Sequence, residues 1–207
     1  MDTPQKYAPD AANESPEQGT KERILKEAVR LFCEKGYPET SVREIVEAAG
    51  VTKPVLYYYF KNKDDLFLHI IHNSLIPWRE RMNGICRDET RDFRMALQDI
   101  TEYYLEVSQR DPELVRFIHT IAFSGLYNEI FDFQAFWMNH LENVIDLFRR
   151  GQESGIFRGD VAPDSMARIF VGICQAGMRS IVYCPQCMEL PPSSRQMIDI
   201  FMRGIER

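Results

Sequence analysis

The run from Thr40 to Lys63, TSVREIVEAAGVTKPVLYYYFKNK, constrains this chain more than any other feature. Ser41 followed three residues later by Glu44 is a capping box, which sets a helix start at Val42. Val42, Ile45, Val46 and Ala49 then recur at the spacing of one helix face. Gly50 ends that helix, because glycine takes the left-handed conformation that a helix C-terminus often needs. Thr52 N-caps a second helix, and Pro54 falls in its first turn, where a missing N–H costs little. Two short helices joined by a glycine turn make a helix-turn-helix, the geometry that lays its second helix into the DNA major groove.

Around this motif the sequence reads as helix throughout. Residues 1–19 are polar with almost nothing to bury, and read as a disordered tail. A first helix runs from about Thr20 to Lys35, with Ile24, Leu25, Ala28, Val29, Leu31 and Phe32 inward and Gly36 as its stop. Asn62 caps a fourth helix whose first turn holds Asp64 and Asp65, and which kinks or ends near Pro77. Further helices are expected near 90–109, 112–124, 126–150, 163–183 and 193–206, with no stretch alternating long enough to insist on a strand. The expectation is an all-α chain: a tail over 1–19, a three-helix DNA-binding domain over 20–66, and a larger helical domain over 67–207 that binds an effector and dimerises.

Charge supports the division. The chain carries a net −6, yet residues 20–63 hold nine Lys/Arg against six Asp/Glu. A basic segment in an acidic protein suits a DNA reader whose larger part does something else. The polar N-terminus offers no secretory signal, and the most apolar stretch, Met166 to Cys184, is interrupted by Arg168, Gln175 and Arg179. Five cysteines without a signal point to reduced thiols in the cytoplasm, with no membrane partner.

Residues from about Thr20 to His72 resemble the N-terminal domain of TetR-family (TetR/AcrR-like) transcriptional regulators. The matching pieces include Gly36-Tyr37, Ser41 to Ile45, Ala49-Gly50-Val51, Lys53-Pro54, Leu56-Tyr57-Tyr58 and Phe60 to Lys63. The resemblance implies that Thr52, Lys53, Pro54, Tyr57, Tyr58 and Tyr59 line the DNA interface and that Lys63 meets a phosphate. Ser41, at a helix start, is a further phosphate candidate through its hydroxyl and nearby N–H groups. Leu56 and Phe60 should anchor the reading helix inward; of three adjacent tyrosines about 100° apart, Tyr59 is the one expected to pack inward if any does. Tyr59 stands where the family often has histidine, and Val55 where a small or hydroxyl residue is common. Both bear on which operator is read.

For the larger domain the resemblance implies an effector pocket and a dimer formed by the last two helices. The aromatic-rich stretch from Tyr103 to Trp137 supplies the pocket candidates Tyr103, Phe117, His119, Tyr127, Phe131, Gln134 and Trp137, any of which is otherwise ordinary core. Gln134 stands out because it falls on the apolar stripe Tyr127, Phe131, Met138, Leu141, Ile145, Phe148, and a buried amide needs partners. The effector expected is apolar or aromatic. Gly172, Ala176 and Ser180 recur every four residues and, with Ile198, Phe201, Met202 and Ile205, are the expected dimer contacts. Close packing within one subunit is the alternative.

No GxGxxG, GxSxG or HExxH occurs, so a small helical enzyme with an unused DNA-binding head is the weaker alternative. No cofactor is expected, and no metal: His69 and His72 lack a third ligand. Cys184-Pro185-Gln186-Cys187 follows a helix end rather than starting one, which disfavours a redox pair, although a thiol-responsive regulator using Cys184 and Cys187 is the second alternative. The reading is a homodimeric regulator, a repressor released from a palindromic operator by a small molecule.

Overall fold

The computed structural model describes residues 16–124, 130–184, 186 and 193–206, and its secondary structure is helical apart from a single bridge between Phe157 and Glu206. The helices are α1 (Pro16–Lys35), α2 (Val42–Ala48), α3 (Lys53–Tyr59), α4 (Lys63–Arg87), α5 (Phe93–Arg110), α6 (Pro112–Ser124), α7 (Phe133–Glu153), α8 (Pro163–Tyr183) and α9 (Ser194–Ile205). The chain divides into two units, Met1–Leu66 and Phe67–Arg207. Of the tail expected over 1–19, residues 1–15 lie outside the described residues. α1 takes in Pro16 to Gly19, four residues more than expected, because proline suits a first helical turn.

In the first unit α1, α2 and α3 pack on one another around Ile24, Ala28, Ile45, Val46, Leu56 and Phe60. The capping box at α2 forms in full: Glu44 N–H donates to Ser41 Oγ, and the Ser41 N–H donates to Glu44 Oε2 at 2.8 Å. Lys35 then pairs with Glu44 at 2.6 Å; this bond, with those from Ser41, holds the Glu44 carboxyl down at about 2. Gly36 (φ 88°) and Gly50 (φ 61°) carry the left-handed turns that end α1 and reverse the chain after α2.

α4 runs through Pro77 to Arg87 rather than ending there. Proline costs its own helical hydrogen bond, but Trp78, Met82, Ile85 and Cys86 continue the buried face beyond it, and packing outweighs propensity. In the second unit α8 packs against α5 and α7, and α9 against α5. Phe148, Phe157, Phe170 and Phe201 form the core of that assembly, with ring centroids 5.3–5.9 Å apart. Arg94 ties α5 to α9 by pairing with Asp199 and Glu206.

Two small residues permit close approach inside this unit. A Cβ at Gly151 would lie 2.3 Å from the Phe157 ring; at Gly177 it would meet Leu105 Cδ2 at 2.9 Å and Met197 at 3.0 Å. Gly84, on the exposed side of α4, has open space around it. Gly151→Ala should therefore cost about 1–3 kcal/mol, since the Phe157 ring is itself wedged between Phe93 and Phe148. Gly84→Ala should gain up to about 1 kcal/mol from helix propensity. Urea unfolding midpoints measure both, and equal midpoints would show that Phe157 gives way freely.

Candidate nucleic-acid interface and ligand cavity

α3 turns one side inward and offers the other to solvent. Leu56 and the capping Phe60 are buried, whereas Lys53, Pro54, Tyr57 (50% exposed) and Tyr58 (72%) are open. Thr52 caps α3 with extended backbone, but its side chain makes no capping bond, so its hydroxyl remains available at the exposed helix start. Tyr59 is half-buried, with Tyr58 set edge-on at 5.0 Å and Phe60 at 6.3 Å. Tyr59 is thus the inward-leaning member of the three, and Tyr57 and Tyr58 are the better presented.

Lys63 does not present its charge outward. Its ammonium donates to the carbonyls of Tyr37 (2.8 Å), Thr40 (2.9 Å) and Pro38 (3.4 Å) and sits 4.3 Å from the Tyr37 ring centroid. An ammonium has three donors, and all three are engaged by one turn. Burial pulls its pKa down, against Asp64 and Glu39, which raise it. Lys63 therefore clasps the α1–α2 turn, and the phosphate contact expected of it is not what this geometry favours. The next turn residue is held too: the Tyr37 hydroxyl donates to Asp64, and Thr40 Oγ1 donates to Gly36 O at 2.8 Å. Ser41 is exposed, but its hydroxyl serves the capping box and donates to Glu44 at 2.8 Å. Arg43 is paired with Glu47, and Arg30 with Glu27 and Glu34. Lys53 and Lys61 are exposed and have no ion pair among the described residues. Lys61 does not stand out in the sequence; only the engagement of its neighbours makes it conspicuous.

In the second unit a cavity of about 170 Å³ opens among α4, α5, α6, α7 and α8. Of the pocket candidates Tyr103, His119 and Trp137 line it, joined by Trp78, Tyr104 and Met178. Arg110 and Asp111 stand exposed at its edge. Phe117 is buried core, edge-on to Phe67 at 5.8 Å. Phe131 packs on Phe133 and Phe136 outside the lining, and Tyr127 lies outside the described residues.

Gln134 is exposed, and the expectation that it faces the pocket is overturned. α7 begins only at Phe133, capped by Asp132, and its buried stripe is Phe133, Phe136, His140, Asn143, Val144, Leu147, Phe148 and Gly151. Starting the helix too early selects the neighbouring stripe, so Met138 is also exposed. The buried polar residues of α7 are instead His140 and Asn143. Asn143 donates to Asn83 Oδ1 at 3.0 Å and accepts from Arg87 at 3.2 Å. His140 Nε2 hydrogen-bonds the Tyr104 hydroxyl at 3.0 Å behind the cavity wall, and its ring lies 4.8 Å from that of Trp78. His140 Nδ1 and Trp137 Nε1 are buried with no partner in the protein.

The expected dimer residues separate into two groups. Gly172 and Ala176 are exposed and Ser180 half-exposed, beside Ile169 (57%) and Tyr183 (47%) on the same side of α8. Ile198, Phe201, Met202 and Ile205 are buried in their own chain, Phe201 against Phe148 and Phe170. The single apolar stripe of α9 is used on the subunit core, and Ile200 (73% exposed) is what α9 shows outside. Cys33, Cys86 and Cys174 form no disulfide, and burial pushes Cys86 and Cys174 up to about 12. Cys184 is disulfide-bonded, against the expectation of reduced thiols throughout; Cys187 lies outside the described residues. No group of metal-binding side chains occurs among the described residues, and no described helix is long and apolar enough to cross a membrane.

Residues 24–70 match the profile of the bacterial regulatory proteins of the tetR family. The chain is 25% identical over 193 residues to the transcriptional regulator AcrR of Shigella flexneri, covering 89% of this chain and 88% of that one. It is 36% identical over 145 residues to the transcriptional regulator QacR of Staphylococcus aureus, covering 65% of this chain and 72% of the relative. Its fold is similar to that of SmeT, the repressor of a Stenotrophomonas maltophilia multidrug efflux pump, in complex with triclosan. That likeness has a TM-score of 0.68 at 20% identity over 92% of this chain and 93% of the other.

The buried His140 makes stability pH-dependent. Burial lowers its pKa from 6.5 to about 4. Between those values the unfolded chain binds more protons than the folded one, so stability is complete above about pH 6.5 and falls as pH drops toward 4. The ceiling is on the order of 3 kcal/mol. His119, also lowered chiefly by burial, acts with the same sign. Thermal unfolding across pH 4–7 should slope accordingly, and less steeply in His140→Gln; parallel slopes would mean that His140 is already protonated in the fold.

Proposed function

Because the chain belongs to the TetR family of bacterial transcriptional regulators, we propose that it is a homodimeric repressor that binds a palindromic operator and is released by a small apolar or aromatic molecule. The observation that carries DNA reading is the exposed side of α3, where Lys53, Tyr57 and Tyr58 project while Leu56 and Phe60 hold the helix to its domain. Tyrosine suits such a surface because its ring meets sugars and thymine methyl groups while its hydroxyl reaches phosphate. Thr52 and Pro54 frame the start of this surface, and Tyr59 and Ser41 flank it. Lys61 takes the phosphate role that the resemblance implied for Lys63.

The cavity among α4 to α8 is the effector site, with Tyr103, His119 and Trp137 in its wall. SmeT with triclosan supports an aromatic ligand in this fold. Release needs only differential affinity: a ligand that prefers one arrangement of α4 shifts the population by the free-energy difference it makes between the two. No catalytic step is required, and a regulator of this kind works in the cytoplasm with its DNA. The relatives lend no support to a thiol sensor. The dimer forms on the side of α8 that carries Ile169, Gly172, Ala176, Ser180 and Tyr183, with Ile200 of α9; such an exposed apolar surface is what a partner covers.

The operator is found by sequencing random DNA retained by the protein. Tyr57→Ala and Lys53→Ala should each weaken binding to it and blur base preference. Lys61→Ala should weaken all sequences alike and reduce the salt slope by about one counterion. Lys63→Ala should lower the melting temperature by a few degrees; a lost counterion without any loss of melting temperature would return Lys63 to the phosphate.

Charging the proposed dimer face tests assembly. Ile169→Asp and Ile200→Asp are harmless on a solvated surface and costly on a covered one. Light scattering should show the double variant as a folded monomer with weakened operator binding. An unchanged dimer would place the interface elsewhere.

A further inference from the structure

The cavity among α4 to α8 has a wet end and a dry end. Asn73, Pro77, Arg110 and Asp111 border it and are exposed, so its mouth lies between α4 and the α5–α6 turn. Tyr104, Ile118, His119 and Met178 border it too and are buried, so they form its floor. A second recess of about 380 Å³ lies between α6 and α8, lined by His119, Thr120, Gln175, Arg179 and Tyr183. Thr120, Arg179 and Tyr183 are exposed there. His119 is the one residue common to both linings, so among the described residues the two voids come nearest to each other at His119.

The neighbours of His119 divide in the same way. Ile118 and Met178 border the cavity, whereas Thr120 and Arg179 border the recess. The His119 ring is 8% exposed and lies 6.3 Å from that of Tyr183 on α8. Burial, helped by Arg179, lowers its pKa from the ordinary 6.5, so at pH 7 the ring is uncharged and can border an apolar space. We propose that His119 is the inner wall of the effector site and fixes how long a ligand that site accepts. The proposal rests on the reading of the cavity as the effector site and gives that site its ligand class: a molecule with one polar end at the mouth and an apolar body that stops at His119. Each methylene that enters apolar space tightens binding about fourfold, whereas one that meets a packed wall gains nothing or must displace the wall.

The probes are the primary straight-chain alcohols from butanol to decanol, whose hydroxyl stays at the mouth while the chain reaches inward. The chain has two tryptophans, and both line the cavity, so intrinsic fluorescence follows entry. In the full-length protein affinity should rise about fourfold per methylene, then stop rising at a definite chain length. In His119→Ala that limit should move outward by about two methylenes or more, because the recess beyond becomes continuous with the cavity. Thr120→Ala, which alters the recess but not the wall, should leave the limit in place. Where thermal unfolding shows that His119→Ala does not fold, His119→Val, which removes less of the ring, takes its place. Independently of any variant, imidazole NMR of the four histidines should show one ring shifting with alcohols at the limit and unmoved by shorter ones. An affinity that rises through decanol without a limit, or no binding of any alcohol, would overturn the proposal. So would a limit unmoved in a folded His119→Ala, as when a partner subunit fills the recess, or the absence of any histidine shift at the limit. Operator release is then followed with the same alcohols. A limit that moves with His119 while no alcohol releases the operator would leave the wall standing and refute the effector reading. Release whose dependence on chain length is the same in His119→Ala would keep the effector reading and refute the wall.

Discussion

The turn between α1 and α2 exposes three carbonyls that no helix can satisfy, and Lys63 satisfies them. That clasp braces the DNA-reading unit at the turn which leads into its helix-turn-helix. It fixes the first turn of α4 to the turn that sets the start of α2, and α2 in turn positions α3. A cation placed this way loses hydration, and its lowered pKa records the loss. The compensation is three charge-assisted bonds and a ring face at 4.3 Å. Positive charge in this unit is therefore divided: Lys63 is spent on architecture, whereas Lys53 and Lys61 stay exposed, with no ion pair among the described residues.

The second unit is organised by aromatic contact. Phe148 touches α8 and α9 through Phe170 and Phe201, while Gly151, one turn further along α7, lets Phe157 fold against the same helix. At the other end of α7, Phe136, Trp137 and His140 surround Trp78 of α4. One helix thus has a tightly closed half and a half bordering open space. Trp78, Tyr104 and Trp137 of this half line the cavity.

Much of the first unit was legible in sequence because its signals are local: a capping box, a glycine stop and a periodic stripe lie within a few residues of what they govern. The role of Lys63 was not legible, since its acceptors stand 23 to 26 residues earlier in the chain. α7 failed for a different reason. Its aromatic-rich N-terminal end carries apolar residues on more than one side, so the choice of stripe turned on where the helix begins, and Asp132 rather than an earlier residue caps it. In α9 the recurrence of Ile198, Phe201, Met202 and Ile205 shows that a face is buried without showing by what, and the expected partner is replaced by Phe148 and Phe170 of the same chain, which cover Phe201. The buried polar residues His140 and Asn143 lie off the stripe that runs through Gln134, so periodicity along that stripe does not single them out.

Pro77 leads to a mechanical consequence. It has no N–H to give the carbonyl of Asn73, and the same turn contains Ser74, whose hydroxyl bonds back to Ile70. A long helix is stiff in proportion to its unbroken ladder of bonds, so α4 has its most compliant section here, and Asn73, Ser74 and Pro77 all border the cavity. A guest pressing on a uniform rod must strain its whole length, whereas one pressing at a notch needs to overcome only the notch. The rod in this chain is notched where the guest would stand, which makes its curvature, rather than its position, the quantity most cheaply changed.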